Sequence, residues 1–212
     1  MSDAPISSKR FAAGTAAFLR RVVTDQATLG ALAPTFPALA RRLAGLIPPS
    51  PGLRVLELGA GTGAISAAIG PRLGSGAQHL ALERDPTLLA ALEECAPWAM
   101  RIPGDAAELT SHLRALGVSE VDVVISSLPW TYFGPGLQRR ILGQVCSVLA
   151  PDGMFATIAC RPTRLNPRLR AFRAQLDASF GDVIATPTTW ANLPPARVLI
   201  GRRPMTGPPA CR

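Results

Sequence analysis

The sequence has few aromatic residues and no long apolar run. Phe, Trp and Tyr make up 5% of its 212 residues, and Tyr132 is the only tyrosine. The longest apolar runs, such as residues 121–126, have the length of a strand, so no membrane-spanning helix is predicted. The N-terminus lacks the apolar block of a signal peptide. We therefore expect a soluble, cytoplasmic protein.

Metal-binding patterns are also absent from the sequence. Its cysteines are Cys95, Cys146, Cys160 and Cys211, and none of them forms a closely spaced pair. This spacing argues against a zinc site. His79 and His112 lie far apart in the sequence. We expect no metal, and we expect the cysteines to be buried or free thiols.

Positive charge dominates the composition. The formal net charge is +8, and Lys9 is the only lysine among 22 basic residues. An apolar content of 48% with 17% charged residues excludes disorder for most of the chain. The excess charge favours an anionic partner, which could be nucleic acid, an acidic lipid surface or an acidic small molecule.

Helical and strand-like segments alternate along most of the chain. An amphipathic basic helix is predicted over residues 9–24, and a second helix follows Pro34 with Thr35 as its N-cap. Strands are predicted over residues 54–58, 78–83, 100–103, 121–126, 154–160, 183–186 and 196–201. Helices are predicted between them over residues 64–73, 86–95, 106–116, 137–149 and 167–180. This order predicts an α/β fold, a mostly parallel sheet with helices on both faces.

This alternation also predicts the domain organisation. We expect an N-terminal helical extension over residues 1–50, which is a lid or a membrane-interface helix. A catalytic domain covers residues 51–204, and residues 205–212 form a frayed tail.

A glycine-rich turn is the strongest functional signal. The predicted strand 54–58 runs directly into Gly59, Gly61 and Gly63, and a helix follows. Glycine allows a sharp turn and lets a ligand contact the main chain, and the free N–H groups of the helix start attract an acceptor. An ordinary turn between strand and helix needs only one glycine. The same residues, with Ala64, also fit a loose dinucleotide-binding pattern.

Acidic residues at the ends of neighbouring strands narrow the choice of cofactor. Glu57 precedes the glycine turn, Glu83 ends the second strand, and Asp105 follows the third. With the glycines, they resemble the class I S-adenosylmethionine-dependent methyltransferases over roughly residues 54–160. The resemblance implies a Rossmann-like, seven-stranded sheet with the last strand antiparallel, and S-adenosyl-L-methionine as cofactor. It implies that the glycines line the methionine part of the cofactor, Glu83 holds its ribose, and Asp105 and Ala106 contact its adenine. The predicted cofactor-binding residues are Glu57, Gly59, Ala60, Gly61, Gly63, Glu83, Arg84, Gly104, Asp105, Ala106 and Ser126.

The segment after the fourth strand predicts the acceptor site. Ser126-Ser127-Leu128-Pro129-Trp130 is similar to the Asn-Leu-Pro-Tyr motif of adenine amino-group methyltransferases, with Ser127 in place of the Asn. Pro129 holds Leu128 extended, which would turn carbonyl groups toward an amine. The candidate catalytic residues are Ser127, Leu128, Trp130 and Tyr132. Ser127 and Leu128 would position the nitrogen, Trp130 or Tyr132 would wall the site, and Tyr132 could relay a proton.

Four short segments resemble the bacterial phospholipid N-methyltransferases, which methylate the amine of phosphatidylethanolamine. They lie at residues 28–34, 127–129, 137–142 and 192–196, and the chain departs from the family at Thr35, Phe36 and Ser127. The resemblance implies a phospholipid amine as substrate and, with the basic helix 9–24, peripheral contact with an anionic membrane at its cytoplasmic face. A second basic cluster, Arg161, Arg164, Arg168, Arg170 and Arg173, could bind a headgroup or RNA, or could be solvated. The alternatives are an rRNA adenine N-methyltransferase, a small-molecule or natural-product methyltransferase, and a non-catalytic binding module.

Overall fold

The computed structural model describes residues 36–160, 167–190 and 195–205. Within these residues one seven-stranded sheet has the order β3-β2-β1-β4-β5-β7-β6. The strands are β1 (Arg54–Leu58), β2 (Gln78–Glu83), β3 (Met100–Pro103), β4 (Val121–Ser126), β5 (Leu149–Cys160), β6 (Phe180–Ala185) and β7 (Ala196–Pro204). The α-helices are α1 (Phe36–Ala44), α2 (Ser66–Ile69), α3 (Pro86–Cys95), α4 (Leu109–Ala115), α5 (Pro135–Val148) and α6 (Pro167–Ser179). The predicted α/β fold is confirmed.

Strand direction brings the functional segments to one edge of the sheet. β1 to β5 pair in parallel, whereas β7 pairs antiparallel with both β5 and β6. From β1 the chain continues to β2 and β3 on one side, and β4 and β5 then follow on the other side of β1. The strand order therefore reverses between β1 and β4. Ligands of such folds bind at this reversal, outside the carboxyl ends of the strands.

Two hydrophobic layers hold the helices on the two faces of the sheet. On one face Leu113 of α4, Val145 of α5 and Phe172 of α6 are completely buried. On the other face Leu39 and Leu43 of α1, one helical turn apart, pack in the layer that contains Val55. Burying a leucine of this kind stabilises the fold by about 1.5–3 kcal/mol. The packing fixes the strand ends that carry the site.

Several predicted elements differ in length from those observed. The predicted helix 64–73 is a single turn, α2, followed by a 3₁₀ helix (Gly70–Arg72), because the ring of Pro71 prevents continuation of the α-helix. Residues 106–108 likewise form a 3₁₀ helix before α4. β5 begins five residues earlier than predicted, because Leu149 pairs with Val121 ahead of a register shift. β6 and β7 are each three residues longer than predicted at their outer ends, where Phe180 pairs with Pro204.

The described residues belong to one compact unit, Thr35–Arg212. The predicted helix 9–24, the segment 28–34, Arg161, Arg164 and residues 206–212 lie outside the described residues. The predicted domain boundary at residue 50 therefore stays a prediction. Among the described helices, none has both the length and the apolar character that crossing a bilayer requires.

Candidate active site

Three glycines turn the chain between β1 and α2, and all three have left-handed backbones. φ is +74° at Gly59, +57° at Gly61 and +83° at Gly63, a region that residues with a Cβ rarely adopt. A Cβ on Gly59 would lie 2.9 Å from Leu128 Cδ2, and one on Gly63 would overlap Cys95 Sγ. At Gly61 the nearest atom to such a Cβ is 3.8 Å away. A ligand can therefore approach the main chain closely at Gly61.

The carboxylate of Glu83 ties the end of β2 to the glycine loop. Its Oε2 accepts a hydrogen bond from the Gly61 N–H at 3.0 Å. Its Oε1 accepts from the N–H groups of Arg84 and Asp85 at 2.8 and 2.9 Å. A carboxylate has about four acceptor positions, so Oε2 retains one. Glu83 therefore shapes the loop and can still accept a hydroxyl group.

Hydrogen bonds of the main chain fix the other side of the loop. The N–H groups of Gly59 and Ala60 both donate to Leu82 O, at 2.9 and 3.2 Å. Ala60 is 6% exposed and belongs to the small apolar cluster that contains Leu92 of α3. The loop is thus held against β2 and α3 at once.

Asp105 caps the turn after β3 and contacts Arg84. Asp105 Oδ1 accepts from the Ala107 N–H at 2.9 Å, and Oδ2 lies 3.4 Å from Arg84 Nη1. Arg84 Nη2 is buried with no hydrogen-bond partner among the described residues. Ala106, the first residue of the 3₁₀ helix, is buried. This end of the site therefore presents a paired arginine and aspartate.

Gly104 brings the ends of β2 and β3 together. Its N–H donates to Glu83 O at 3.0 Å. A Cβ at this position would overlap the imidazole of His112 on α4, and only a residue without a side chain fits between the strand end and that ring. No local pattern in the sequence marks this histidine as a neighbour of the site.

Glu57 lies beneath the glycine loop in a buried polar cluster. Its Oε2 accepts from Ser66 Oγ at 2.6 Å and lies 3.1 Å from His79 Nε2. The three residues are at most 2% exposed, and Glu57 Oε1 has no hydrogen-bond partner among the described residues. The sequence pattern did not predict these two partners: His79 meets Glu57 through the pairing of β1 with β2, and Ser66 meets it because α2 packs over the strand end. No group of three or more His, Cys, Asp or Glu side chains among the described residues is placed to hold a metal ion.

Cys95 packs under the glycine loop from the end of α3. Its thiol donates to Thr62 O at 3.3 Å. Burial and, to a smaller extent, the negative charge of Glu57 raise the pKa of the Cys95 thiol. The side chain is therefore a protonated packing group at neutral pH, in agreement with the expected free thiol.

The segment after β4 is joined directly to the glycine loop. The Ser127 N–H donates to Leu58 O at 3.1 Å, and Ser127 Oγ donates to Gly59 O. Ser126 is fully buried, and its Oγ accepts from the Leu128 N–H at 3.3 Å. The structure thus brings the predicted acceptor residues Ser127 and Leu128 against the predicted cofactor loop. We call residues 126–132 the acceptor loop.

Trp130 is a core residue, which corrects its predicted role as a wall of the site. The indole is 2% exposed and stacks on Phe172 with ring centres 4.4 Å apart. Its Nε1 donates to Thr157 Oγ1 at 2.9 Å, and that hydroxyl donates to Ser126 O at 3.0 Å. The fully buried Gln138 donates to Trp130 O at 2.8 Å. Trp130 therefore anchors the acceptor loop to the core.

Tyr132 has the opposite environment. Its side chain is 52% exposed, and its main-chain oxygen accepts a hydrogen bond from Arg168 Nη1 at 3.2 Å. Of the two aromatic side chains predicted to wall the acceptor site, only Tyr132 reaches the surface at this edge of the sheet.

The comparisons with known proteins agree with this geometry. No protein-family model matches the chain. An ornithine lipid N-methyltransferase from Singulisphaera acidiphila is 34% identical in an alignment of 184 positions that covers 84% of this chain and 91% of the relative. The chain belongs to the family of this N-methyltransferase. It is an S-adenosylmethionine-dependent class I methyltransferase.

Solved structures of this methyltransferase's neighbours support the fold. TrmN from Thermus thermophilus superposes with a TM-score of 0.59 at 24% identity, covering 79% of this chain and 48% of TrmN. The chain thus spans about half the length of TrmN. Fibrillarin from Aeropyrum pernix, which holds natively bound S-adenosyl-L-methionine, superposes with a TM-score of 0.56 at 16% identity. That match covers 77% of this chain and 73% of fibrillarin.

The residues of the methyltransferase fit its cofactor. Gly61 leaves room for a ligand against the main chain, and Glu83 Oε2 retains an acceptor position for a ribose hydroxyl. The buried Glu57 Oε1 lacks a hydrogen-bond donor among the described residues. The ammonium group of the cofactor, or an ordered water, would supply that donor. We therefore assign the ribose to Glu83 and the methionine part to the glycine loop as proposals that agree with these contacts.

Proposed function

We propose that the enzyme transfers methyl groups from S-adenosylmethionine to the amine of an amino-lipid headgroup. The observation that carries the proposal is the hydrogen bond from Ser127 Oγ to Gly59 O, which joins the acceptor loop to the cofactor loop. The 34% identical relative acts on an ornithine lipid, and phosphatidylethanolamine presents a similar primary amine on a short arm. A lipid amine is the substrate chemistry common to both.

Ser127 would orient the amine. Its proton is donated to Gly59 O, so the lone pairs of its oxygen are left to accept an N–H group of the substrate. When bound, S-adenosylmethionine supplies a methyl group on a positively charged sulfur. Methyl transfer needs an aligned, unprotonated nitrogen rather than a strong base at the moment of reaction. Leu128, packed against Gly59, would fix the distance between the two loops.

Tyr132 would complete the acceptor site at the surface. Its exposed ring offers an aromatic face to a cationic methylated product. Its hydroxyl would accept the proton that the ammonium form of the substrate must lose and pass its own proton to water. Replacing Tyr132 by Phe keeps the ring, so this variant separates proton relay from ring contact.

The surface favours a lipid over RNA as acceptor. In the basic segment after β5, Arg173 is engaged by Asp177 on its own helix, with two N–O distances of 3.0 and 3.1 Å, and by Val183 O. This ion pair neutralises part of the charge that an RNA backbone would require.

The acceptor can be identified by transfer of label from radiolabelled S-adenosylmethionine. The purified full chain is incubated with phosphatidylglycerol vesicles that contain phosphatidylethanolamine, ornithine lipid or neither. Free ethanolamine, free ornithine and ribosomal RNA form parallel samples. We expect label in the lipid fraction only when an amino lipid is present. Label in a free amine or in RNA, with none in lipid, would refute the proposal.

The two amino lipids are distinguished in the same assay. Greater turnover with phosphatidylethanolamine would extend the resemblance to the phospholipid N-methyltransferases, and greater turnover with ornithine lipid would match the relative. Ser127→Ala is expected to lower kcat about tenfold, because one orienting hydrogen bond to a charged or polar group is removed. Unchanged turnover at saturating S-adenosylmethionine would exclude Ser127 from the mechanism.

A further inference from the structure

A tryptophan is exposed beyond the edge of the sheet that carries the site. The connection between β6 and β7 lies at the carboxyl edge, because β6 runs parallel to β5 and β7 runs antiparallel to it. Thr189 forms a bridge with Ala196, and the next residue, Trp190, is 68% exposed. Ile184, near the end of β6, is 54% exposed. Tryptophan is highly buried on average, so the exposure of Trp190 is unusual for its residue type.

The sheet projects farther on this side than at the end of β4. Ser126, at the end of β4, pairs with Thr157, whereas the pairing of β5 with β7 continues to Cys160 and Ala196. Three further residues of strand extend roughly 10 Å. Trp190 follows the bridge to Ala196, so its segment lies beyond the level at which β4 ends.

The segment that carries Trp190 is anchored to the body of the protein. Arg42 Nη1, on α1, donates to Pro187 O at 2.8 Å and to Thr189 Oγ1 at 2.7 Å. These bonds join residues that are 145 and 147 positions apart in the sequence. The hydrogen bonds of Arg42 therefore hold the segment that directly precedes Trp190.

A second aromatic residue and exposed arginines lie at the same edge. Tyr132 follows β4 and is 52% exposed. α6 leads from the carboxyl end of β5 to the amino end of β6, so its first turn lies at the carboxyl edge, where Arg168 and Arg170 are exposed. Tryptophan and tyrosine concentrate where one end of a side chain is apolar and the other is wet, as at a bilayer surface. Arginine is attracted to anionic headgroups.

We propose that this edge docks on an anionic bilayer surface, with Trp190 inserted at the interface and Tyr132 and Arg168 facing the same bilayer from the ends of β4 and α6. We call these three residues the docking edge. The inference rests on the proposed function, since a lipid amine must enter the site from the membrane plane. An enzyme that docks in this way receives the headgroup at the acceptor loop without extracting the lipid.

Vesicle binding tests the docking edge without any methyl transfer. The full chain is sedimented with vesicles of phosphatidylglycerol and phosphatidylcholine, and neither lipid has an amine that can accept a methyl group. Trp190→Ala is expected to weaken partitioning about tenfold, from the loss of one inserted apolar side chain. Its affinity for S-adenosylmethionine, measured by calorimetry, is expected to equal that of the wild type, which shows that the variant is folded.

Trp98→Ala is the matched control. Trp98 is also 46% exposed, but it precedes β3 and so lies at the opposite, amino edge of the sheet. We expect this variant to bind vesicles as the wild type does. The proposal fails if the wild type does not bind, if Trp190→Ala binds equally well, or if Trp98→Ala loses as much binding.

Insertion can be observed directly by fluorescence. Vesicles with brominated acyl chains quench tryptophans that enter the bilayer, and Trp130 is buried in the core. We expect quenching in Trp98→Phe that disappears in Trp190→Phe. Equal quenching in both variants would overturn the assignment. If vesicle binding is absent while lipid amines in detergent micelles are still methylated, docking is refuted and the proposed function stands.

Discussion

At the scale of single residues, Gly63 combines a conformational and a steric requirement. Its φ of +83° disfavours any side chain, and a Cβ would overlap Cys95 Sγ and lie 3.0 Å from Leu92 Cδ1. Gly63→Ala is expected to destabilise the fold by about 2–4 kcal/mol, from left-handed strain and overpacking together. Urea unfolding followed by circular dichroism measures the change.

The two contributions at Gly63 can be separated. Adding Cys95→Ala to Gly63→Ala removes the overlap but not the strain, so we expect only partial recovery of stability. Gly61→Ala, at +57° and with open space around it, introduces strain alone. Gly61→Ala should cost less stability than Gly63→Ala while weakening cofactor binding. Equal loss of stability in the two single variants would contradict the steric argument.

Glu83 is the residue on which cofactor affinity should depend most. Glu83→Gln replaces one acceptor oxygen by an NH₂ group, which is a donor only. That group can accept neither from the Gly61 N–H nor from a ribose hydroxyl. We expect S-adenosylmethionine to bind about 10–100 times more weakly, since a hydrogen bond to a charged group contributes about 1.5–3 kcal/mol. Isothermal titration calorimetry measures the dissociation constant.

Glu93→Gln is the control for the loss of one negative charge. Glu93 lies on α3, is exposed, and forms an ion pair with Arg101 at 3.1 Å, away from the strand ends. Its variant should bind S-adenosylmethionine as the wild type does, because an exposed pair contributes little. A similar loss of affinity in both variants would mean that Glu83 acts only through net charge.

Sequence patterns located the residues near the site but not their environments. The spacing of Gly59, Gly61 and Gly63 after an apolar strand is a local property, and the loop forms as predicted. Whether Trp130 faces a cleft or the core depends on its contact with Phe172, 42 positions away in the sequence. No local pattern contains that contact. The same reason hid His79, which meets Glu57 only through strand pairing.

At the scale of elements, strands were predicted best where the chain marks both ends. β1, β2, β3 and β4 and the helix α3 have the predicted bounds, because glycine, proline or charged residues border their apolar runs. The start of β5 was missed, because Pro151 and Gly153 are typical of a turn while pairing across the sheet holds the backbone extended. The limits of β6 and β7 depend on their mutual pairing and were missed for the same reason.

The anchoring of the acceptor loop by β5 and α6 gives a prediction at this scale. Trp130→Phe keeps an aromatic ring against Phe172 but removes the hydrogen bond to Thr157. We expect a loss of about 1–3 kcal/mol in stability, because a buried hydroxyl loses a partner and a cavity forms. Thermal unfolding measures it. Tyr132→Phe, at the exposed end of the same loop, should stay within about 0.5 kcal/mol of the wild type. The assignment of Trp130 to the core fails if the two variants are equally stable.

At the scale of the whole molecule, the net charge of +8 should govern how the enzyme meets its substrate. Exposed charges act over about 10 Å at 0.1 M salt and over much shorter distances near 1 M. We therefore expect binding to phosphatidylglycerol vesicles to fall about tenfold or more between 0.05 and 0.5 M sodium chloride, as each exposed arginine loses its attraction. Binding of S-adenosylmethionine, which depends on the half-buried Glu83 and the glycine loop, should change much less and serves as the control. Methylation of amino lipid in anionic vesicles should follow vesicle binding, whereas methylation in uncharged detergent micelles should not. If salt lowers the two activities equally, the charge acts within the site and not on the approach to the membrane.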